Sequence, residues 1–594
     1  MTGIGIRDLA VIGDRRTAAV IARDGNILWY CPGRFDHPSV LAGLLDPAGG
    51  SWSVDLPGAE PADRRYLGKS GVLETCLRAP GGELTITDWM TAGLDAPAGL
   101  LCRFFSAAPG KARVALAPRP DYARATLGSN CPDTCPDGSV RTGGGQNLYA
   151  SHPLIIKGED AFFTLPEGEP GWAVLSDAPL EVPPARADLD RWLAATLVYW
   201  RNLAALDSYD GPYGREVGAS LRAIRLLSHE ASGGIVAAAT TSLPEVPGGD
   251  RNWDYRYVWL RDAGMIVSAL TRLGDDLTEG QRYLDFICGA RGSSSEYPVA
   301  VFITLDGGAA PAEEILDFAG FLGSRPVRIG NDARDQLQLD AFGNVLLAAK
   351  LIYRRTDRRP HWDAVEEIAE FLVAHWREPD HGIWEEQDRS QYTANKVITA
   401  CALASAAEYS ADDNQARRWR ASVREIRDFV SSNCLTSEGA YAAVAGGEAV
   451  DVSAALFPTW GYTEADAPEM RVTMAVLERD YSWDGLLYRR HLECADACRE
   501  GAFLAGTFWV AQCWILRGDL ARAQRILDAG LVYANDLGLF AEEADPHRGG
   551  RMLGNIPQSF VHAAFIGAAV DLKDALARRT SGGPSTTEQK EKRS

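Results

Sequence analysis

The chain has 594 residues, 46% hydrophobic and 24% charged, and a net charge of -20 from 80 acidic and 60 basic residues. That length is too great for one compact core, since single cores stop growing near roughly 250–300 residues, and it suggests about two to four domains. The composition excludes a disordered, collagen-like or disulfide-scaffold chain, and the acidic balance argues against nucleic acid or an anionic membrane surface as partner.

Residues 1–8 show no basic region followed by an apolar one, so no secretory signal is expected. No run reaches the roughly 18 apolar residues that a membrane helix needs. The first third reads as sheet. Asp24-Gly25 sits between the apolar runs 19–22 and 27–29, a strong hairpin signal. Residues 83–89 alternate with period two, and 113–117 and 171–175 are short apolar runs bounded by Gly or Pro. Many short strands at close spacing predict an antiparallel β-sandwich over residues 1–185.

Near residue 186 the period changes. Leu189, Trp192, Leu193, Leu197, Trp200, Leu203 and Leu206 recur at spacings of three and four, which predicts a connecting helix within a 186–214 linker. Helical patterns follow at 265–273, 339–353, 364–376, 416–430, 503–516, 521–531 and 560–576. About a dozen such patterns, separated by long loops rich in Gly, Trp and Asp, fit an all-α catalytic domain over 215–576. Helices paired around a ring would satisfy the pattern, as would other all-α arrangements. Residues 577–594 are polar and read as a disordered tail. The 11 cysteines are scattered and odd in number, which fits reduced thiols in a cytoplasmic protein. The close pairs Cys131/Cys135 and Cys494/Cys498 lack further ligands nearby, so no metal is expected. Nothing in the chain calls for a cofactor.

Five loop clusters concentrate the chemistry. The first, residues 251–262, holds Arg251, Trp253, Asp254, Tyr255, Arg256, Trp259, Arg261 and Asp262. The second runs from Arg325 to Asn331, with Gln336 after it. The third holds Asp380, His381, Trp384, Glu385 and Glu386. The fourth holds Tyr488, Arg489 and, further on, Glu500. The fifth holds Glu542, Glu543 and Asp545, then residues 554–558 from Gly554 to Gln558. Two Glu-Glu steps far apart, each with an aromatic residue nearby, are what glycoside hydrolysis needs. One carboxylic acid protonates the leaving oxygen, and one carboxylate activates water or attacks the sugar. Aromatic rings stack on sugar faces, and Arg–Asp pairs hold hydroxyls. Each feature also has an ordinary reading: a Glu-Glu step on a loop is usually solvated surface, an Arg-Asp step a structural ion pair, and a Trp core.

Together, in this order and spacing, the clusters resemble glycoside hydrolase family 15, the glucoamylase and bacterial trehalase family. The most specific stretches are Thr241-Ser242-Leu243-Pro244-Glu245 leading into 251–262, residues 326–331 with Gln336, and residues 554–558. Residues 12–19 and 34–39 resemble the N-terminal domain of bacterial members. The resemblance implies a β-sandwich packed on an (α/α)6 barrel. It implies an inverting, exo-acting hydrolase that releases β-glucose from trehalose or short α-glucans, with no cofactor or metal. It assigns Glu385 as general acid and Glu542 as general base, and an inverting pair would stand roughly 6.5–9.5 Å apart. Trp384 and Glu386 are expected to raise the affinity of Glu385 for its proton. The resemblance places Tyr255 beside the reacting carbon and Arg261 and Asp262 on the hydroxyls of the terminal glucose. Trp259, Arg328, Trp384, Glu386 and Arg489 are further substrate-binding candidates. Gln336 and Gln558 are expected to brace loops, and Glu500 is either a rim ligand or a carboxylate at a helix N-terminus.

The chain departs from the family pattern at Ala400-Cys401, where a Trp is expected, and at Arg490, His491 and the Cys494/Cys498 segment, which leaves the leaving group open. A glycoside phosphorylase, with phosphate in place of the base, is the competing enzyme class, and Glu542 argues against it. A sugar-binding pseudoenzyme is the non-catalytic alternative. The sandwich is expected to wall the barrel mouth in preference to binding sugar itself.

Overall fold

A computed structural model describes residues 3–125, 132–274, 276–490, 500–547 and 550–580. Cys131, His491, the Cys494/Cys498 pair and residues 581–594 of the expected tail lie outside the described residues.

The N-terminal part is two antiparallel sheets. The first orders its seven strands as 10–13, 18–21, 27–30, 51–55, 112–117, 160–165 and 155–157. The second orders eight strands as 133–134, 140–141, 147–150, 171–176, 100–105, 82–90, 73–79 and 60–66. The Asp24-Gly25 hairpin forms, with Ala19 opposite Tyr30 and Gly25 in the left-handed region at φ 79°. The strand at Ser51–Asp55 alternates between buried and partly open positions, as a half-covered strand does. The strands at Ala10–Gly13, Ala18–Ile21 and Ile27–Tyr30 are buried at every position, which requires cover on both faces. The helical part abuts this region: Asn535 Nδ2 donates to the Leu9 carbonyl at 2.8 Å, and Arg64 pairs with Asp536 at 2.7 Å. Inside the sandwich the buried charge of Arg103 is met by Asp88 at 2.7 Å.

Helix α1 (Arg186–Ala204) begins where the period changes. Leu189 and Trp192 bury against Trp89, Leu100, Cys102 and Val174 of the eight-stranded sheet, so the helix covers one face of the sandwich. Then follow α2 (Gly214–Leu226), α3 (Ala263–Arg272), α4 (Thr278–Gly289), α5 (Leu339–Thr356), α6 (Trp362–His375) and α7 (Thr393–Tyr409). The chain continues with α8 (Asp413–Asn433), α9 (Phe457–Trp460), α10 (Pro468–Asp480), α11 (Leu504–Leu516), α12 (Leu520–Leu531) and α13 (Ser559–Thr580). Helices α3, α5, α7, α9, α11 and α13 pack each against the next, and α13 returns to α3. The even-numbered helices from α2 to α12 pack outside this ring. The result is the (α/α)6 barrel.

Burial follows the two rings. Helix α8 buries a stripe at Ala416, Trp419, Ser422, Ile426 and Val430, and Asp412 caps its N-terminus by accepting from Asn414 N at 2.8 Å. Helix α7 is buried at nearly every position. An Ala-rich helix enclosed on all sides carries no amphipathic stripe, so periodicity does not reveal it. Helix α13 runs past Leu576, the expected domain end, to Thr580. No helix among the described residues is long and apolar enough to cross a membrane.

Candidate active site

Each of the five clusters leads into the N-terminus of an inner helix. Residues 251–262 enter α3, 325–338 enter α5 and 380–392 enter α7, while 500–503 of the fourth cluster precede α11 and 550–558 of the fifth precede α13. The barrel therefore gathers segments far apart in sequence at one end.

Two residues of the first cluster reach the two candidate carboxyls. Tyr255 Oη donates to Glu542 Oε1 at 3.0 Å, and Trp259 Nε1 donates to Glu385 Oε1 at 2.8 Å. Their rings meet edge to face with centroids 5.5 Å apart. Arg261 adds a second donor to Glu385 Oε1 at 2.7 Å through Nη1, which also reaches the Ile383 carbonyl at 3.0 Å. Arg261 Nε holds Asp262 Oδ1 at 3.2 Å, and Asp262 Oδ2 is buried with no partner. Burial pushes Asp262 up to about 6 against the pull of Arg261.

Glu385 adopts a left-handed backbone, φ 62°, a costly conformation for a residue with a side chain. Its loop is held from outside. Gln336 Nε2 donates to the carbonyls of Glu385 at 3.1 Å and Glu386 at 3.3 Å, and His381 Nδ1 lies 2.7 Å from the Glu386 carbonyl. Gln336 thus braces the loop. Gln558 braces its own: its Oε1 accepts from Phe560 N at 3.0 Å. Trp384 donates through Nε1 to Asp451, and its ring packs on Phe503 and Trp509 at 5.1 and 6.0 Å.

Glu542 is 4% exposed, and its Oε2 has no hydrogen-bond partner. Burial and then the charge of Glu245 push its carboxyl up to about 8, while Arg490, the Tyr255 hydroxyl and Arg261 act the other way. Gly554, at φ 79°, lies against it, and a Cβ there would fall 2.9 Å from Glu542 Cβ and 3.0 Å from Oε2. Asn555 fixes that turn, donating to the Trp253 carbonyl at 2.9 Å and accepting from Thr240 Oγ1 at 2.9 Å.

Two expected substrate ligands are engaged with other groups of the protein. Arg328 Nε pairs with Glu313 at 2.8 Å, its Nη1 reaches the Asp250 carbonyl at 2.6 Å, and its guanidinium stacks on Trp253 at 4.4 Å. Arg489 lies over Trp483, 4.5 Å from the ring centroid. The arginine that reaches the interior is Arg490, which meets Glu245 at 2.6 Å, Glu543 at 3.3 Å and Glu500. Glu500 is therefore a buried member of this group and not a rim residue. Glu245, Glu500 and Glu543 are the one carboxylate trio among the described residues close enough to share a metal ion, and a guanidinium already stands among them. Another strut escaped the sequence reading: Arg256 and Asp254 form a fully buried pair at 2.7 Å. Arg256 Nη1 donates to the His37 carbonyl of the sandwich at 3.1 Å, and Asp254 accepts from Gly330 N at 3.1 Å.

The glycosyl hydrolases family 15 model matches residues 212–525, and the trehalase-like N-terminal model matches residues 2–132. Glu542 lies beyond the first of these spans. A trehalase of Mycolicibacterium smegmatis is 30% identical, with 97% of this chain and 92% of that protein covered. A trehalase of Thermoplasma acidophilum is 31% identical over 95% of this chain and 99% of its own length. Among solved structures, a bacterial glucoamylase complexed with acarbose superposes with a TM-score of 0.72 at 14% identity, covering 98% of both chains.

Proposed function

Because this chain belongs to glycosyl hydrolases family 15, a glycoside hydrolase of trehalase or glucoamylase type, we propose that it hydrolyses trehalose or short α-glucans from the non-reducing end with inversion, releasing β-glucose. Glu385 is the general acid and Glu542 the general base. The observation that carries this reading is the double reach of one segment: Tyr255 to Glu542 and Trp259 to Glu385, with Arg261 and Asp262 alongside. Two buried carboxylate oxygens without partners, Asp262 Oδ2 and Glu542 Oε2, suit a sugar hydroxyl and an attacking water respectively.

In the proposed reaction the terminal glucose is gripped by Arg261 and Asp262. Glu542 takes a proton from water as that water attacks the anomeric carbon, and Glu385 gives its proton to the departing oxygen. Trp259 and Arg261 both donate to Oε1 of Glu385, which leaves Oε2 to carry the proton that Glu385 gives up. The full-length trehalase relatives support trehalose as the first substrate to try. The same reading treats residues 1–185 as the sandwich domain, 186–214 as linker, 215–576 as the catalytic domain and the remainder as tail.

One observation favours an exchange of the two roles. The ion pair to Arg261 sits on Glu385, whereas Glu542 is the carboxyl that burial pushes toward its protonated form. Leaving groups that need no proton separate the two assignments.

The function is tested by incubating the purified chain with trehalose, maltose, isomaltose and maltotriose and following the anomeric protons by NMR. Initial release of β-glucose from at least one of them is expected. Release of α-glucose, or of glucose 1-phosphate only when phosphate is added, would overturn the reading.

A further inference from the structure

Arg490 occupies a place that the hydrolytic scheme does not use. It follows the hairpin of Ser482–Trp483 and Leu487–Tyr488, its carbonyl accepts from Val452 N at 3.1 Å, and only 9% of the residue is exposed. Its Nη2 donates to Glu245 Oε2 at 2.6 Å and to Glu500 Oε1, and stands 3.3 Å from Glu543 Oε1. Its guanidinium lies 5.3 Å from the Phe503 ring and 5.8 Å from that of Trp384, so aromatic walls confine it. Arg251 reaches the same group from its edge, at 3.0 Å from Glu500 and 3.8 Å from Glu245.

These carboxylates come from different segments: Glu245 from the loop before the first cluster, Glu500 from the approach to α11, and Glu543 from the strand Glu543–Asp545. Glu542 immediately precedes Glu543, and its backbone carbonyl accepts from Leu504 N at 3.2 Å. Glu543 in turn accepts from Gly501 N at 3.1 Å. One short sheet therefore carries both the candidate base and a member of the acidic group.

Charge balance decides what Arg490 does. Glu245, Glu500, Glu542 and Glu543 are all buried; Arg490 pairs with Glu245, Glu500 and Glu543, and the more open Arg251 with Glu500 and Glu245. The groups that face Glu542 from the surrounding elements are Glu245, Glu543, Arg490, Arg261 and the Tyr255 hydroxyl, with Glu500 and Arg251 behind them. Removing Arg490 would leave Arg251 as the remaining guanidinium beside Glu245 and Glu500, and more of the group's negative charge would press on Glu542 in a medium of low dielectric.

We propose that Arg490 is a positioning residue for the candidate base: by pairing with Glu245, Glu500 and Glu543 it offsets their charge beside Glu542 and lowers the pH at which that carboxylate ionises. This rests on the reading of Glu542 as base. The pressure it opposes is visible in Glu542 itself, which Glu245 pushes up and Arg490 pulls down.

The test is the pH profile of kcat/KM on whichever α-glucoside is turned over, measured on full-length protein. Arg490→Gln is expected to move the acidic limb upward by about one pH unit or more, the scale of losing an opposite charge nearby. Arg490→Lys keeps the charge and is expected to hold the limb within a few tenths. Glu245→Gln removes a carboxylate and is expected to move the limb downward, and this variant decides the matter if Arg490→Gln fails to fold. Arg490→Gln/Glu245→Gln is expected to return at least half of the displacement. Loss of kcat with an unmoved limb in these variants would overturn the proposal and make Arg490 purely structural. Full turnover in Glu542→Gln would instead overturn the assignment of the base.

Discussion

Arg261 donates through Nη1 to Oε1 of Glu385 at 2.7 Å while its Nε holds Asp262 at 3.2 Å, so one guanidinium joins the candidate acid to the candidate sugar ligand. A fork of this shape is not replaced by an ammonium. Arg261→Lys is expected to lower kcat/KM by about 10–100-fold, the worth of one charged hydrogen bond at about 1.5–3 kcal/mol. Because the arginine touches both functions, kcat and KM should both worsen. A rise in KM with kcat intact would show that Arg261 serves only uniform binding.

The two carboxyls are separated by leaving-group chemistry. Fluoride departs from α-glucosyl fluoride with little need of a proton, whereas the oxygen of a disaccharide needs one. Glu385→Gln is expected to lose about 10²–10⁴-fold on the disaccharide and far less on the fluoride. Glu542→Gln should lose comparably on both. The opposite pattern would assign the acid to Glu542, the exchange that its burial and the Arg261–Glu385 pair favour.

The five loops that form this site were legible because each mixes aromatic and charged residues where a helical stripe would be apolar, and each leads into an inner helix. Glu385, Trp259, Arg261, Tyr255 and Glu542 come together as a connected set. The choice between Arg489 and Arg490 was not legible. Successive side chains on an extended segment face opposite ways, so one arginine turns to Trp483 and its neighbour to the interior. Which one turns inward is fixed by Glu245, 245 residues away in sequence. Arg328 carries the right chemistry too, but Glu313, just before the paired strand Glu314–Leu316, claims it. Helix α7 hid for the opposite reason, since complete burial erases the stripe that periodicity detects.

Stability and function should pull Glu542 in opposite directions. Its carboxyl is raised from 4.5 to about 8, so the folded state favours the neutral form. Between those values the native chain binds more protons than the unfolded one, and stability falls as pH rises. Asp262 and Asp340, at about 6, and Asp380, at about 7, act in the same direction. The melting temperature is therefore expected to decline from about pH 5 to pH 8. Glu542→Gln, which is neutral at every pH, should raise it by roughly 1–4 °C at pH 8 and by less at pH 5. An equal gain at both values would place the cause in packing and not in charge.

The sandwich is expected to be indispensable to the barrel. The strands at Ala10–Gly13, Ala18–Ile21 and Ile27–Tyr30 are buried on both faces, and Asn535 and Asp536 of the helical part bond to Leu9 and Arg64. The second tie is at the site. Arg256 is wholly buried between Asp254 and the His37 carbonyl, and it lies next to Tyr255, which touches Glu542. Removing residues 1–185 would strip cover from apolar barrel surface and leave the Arg256 guanidinium without its His37 acceptor, each a cost on the scale of a severe mutation. The truncated chain is expected to be insoluble when expressed alone. Arg256→Met in the full chain offers a milder version: it removes the countercharge of Asp254, loosens the segment that carries Tyr255, and should lower kcat more than it raises KM. A soluble 186–594 fragment with wild-type kcat/KM would show that the barrel shapes its own mouth and that these contacts are incidental.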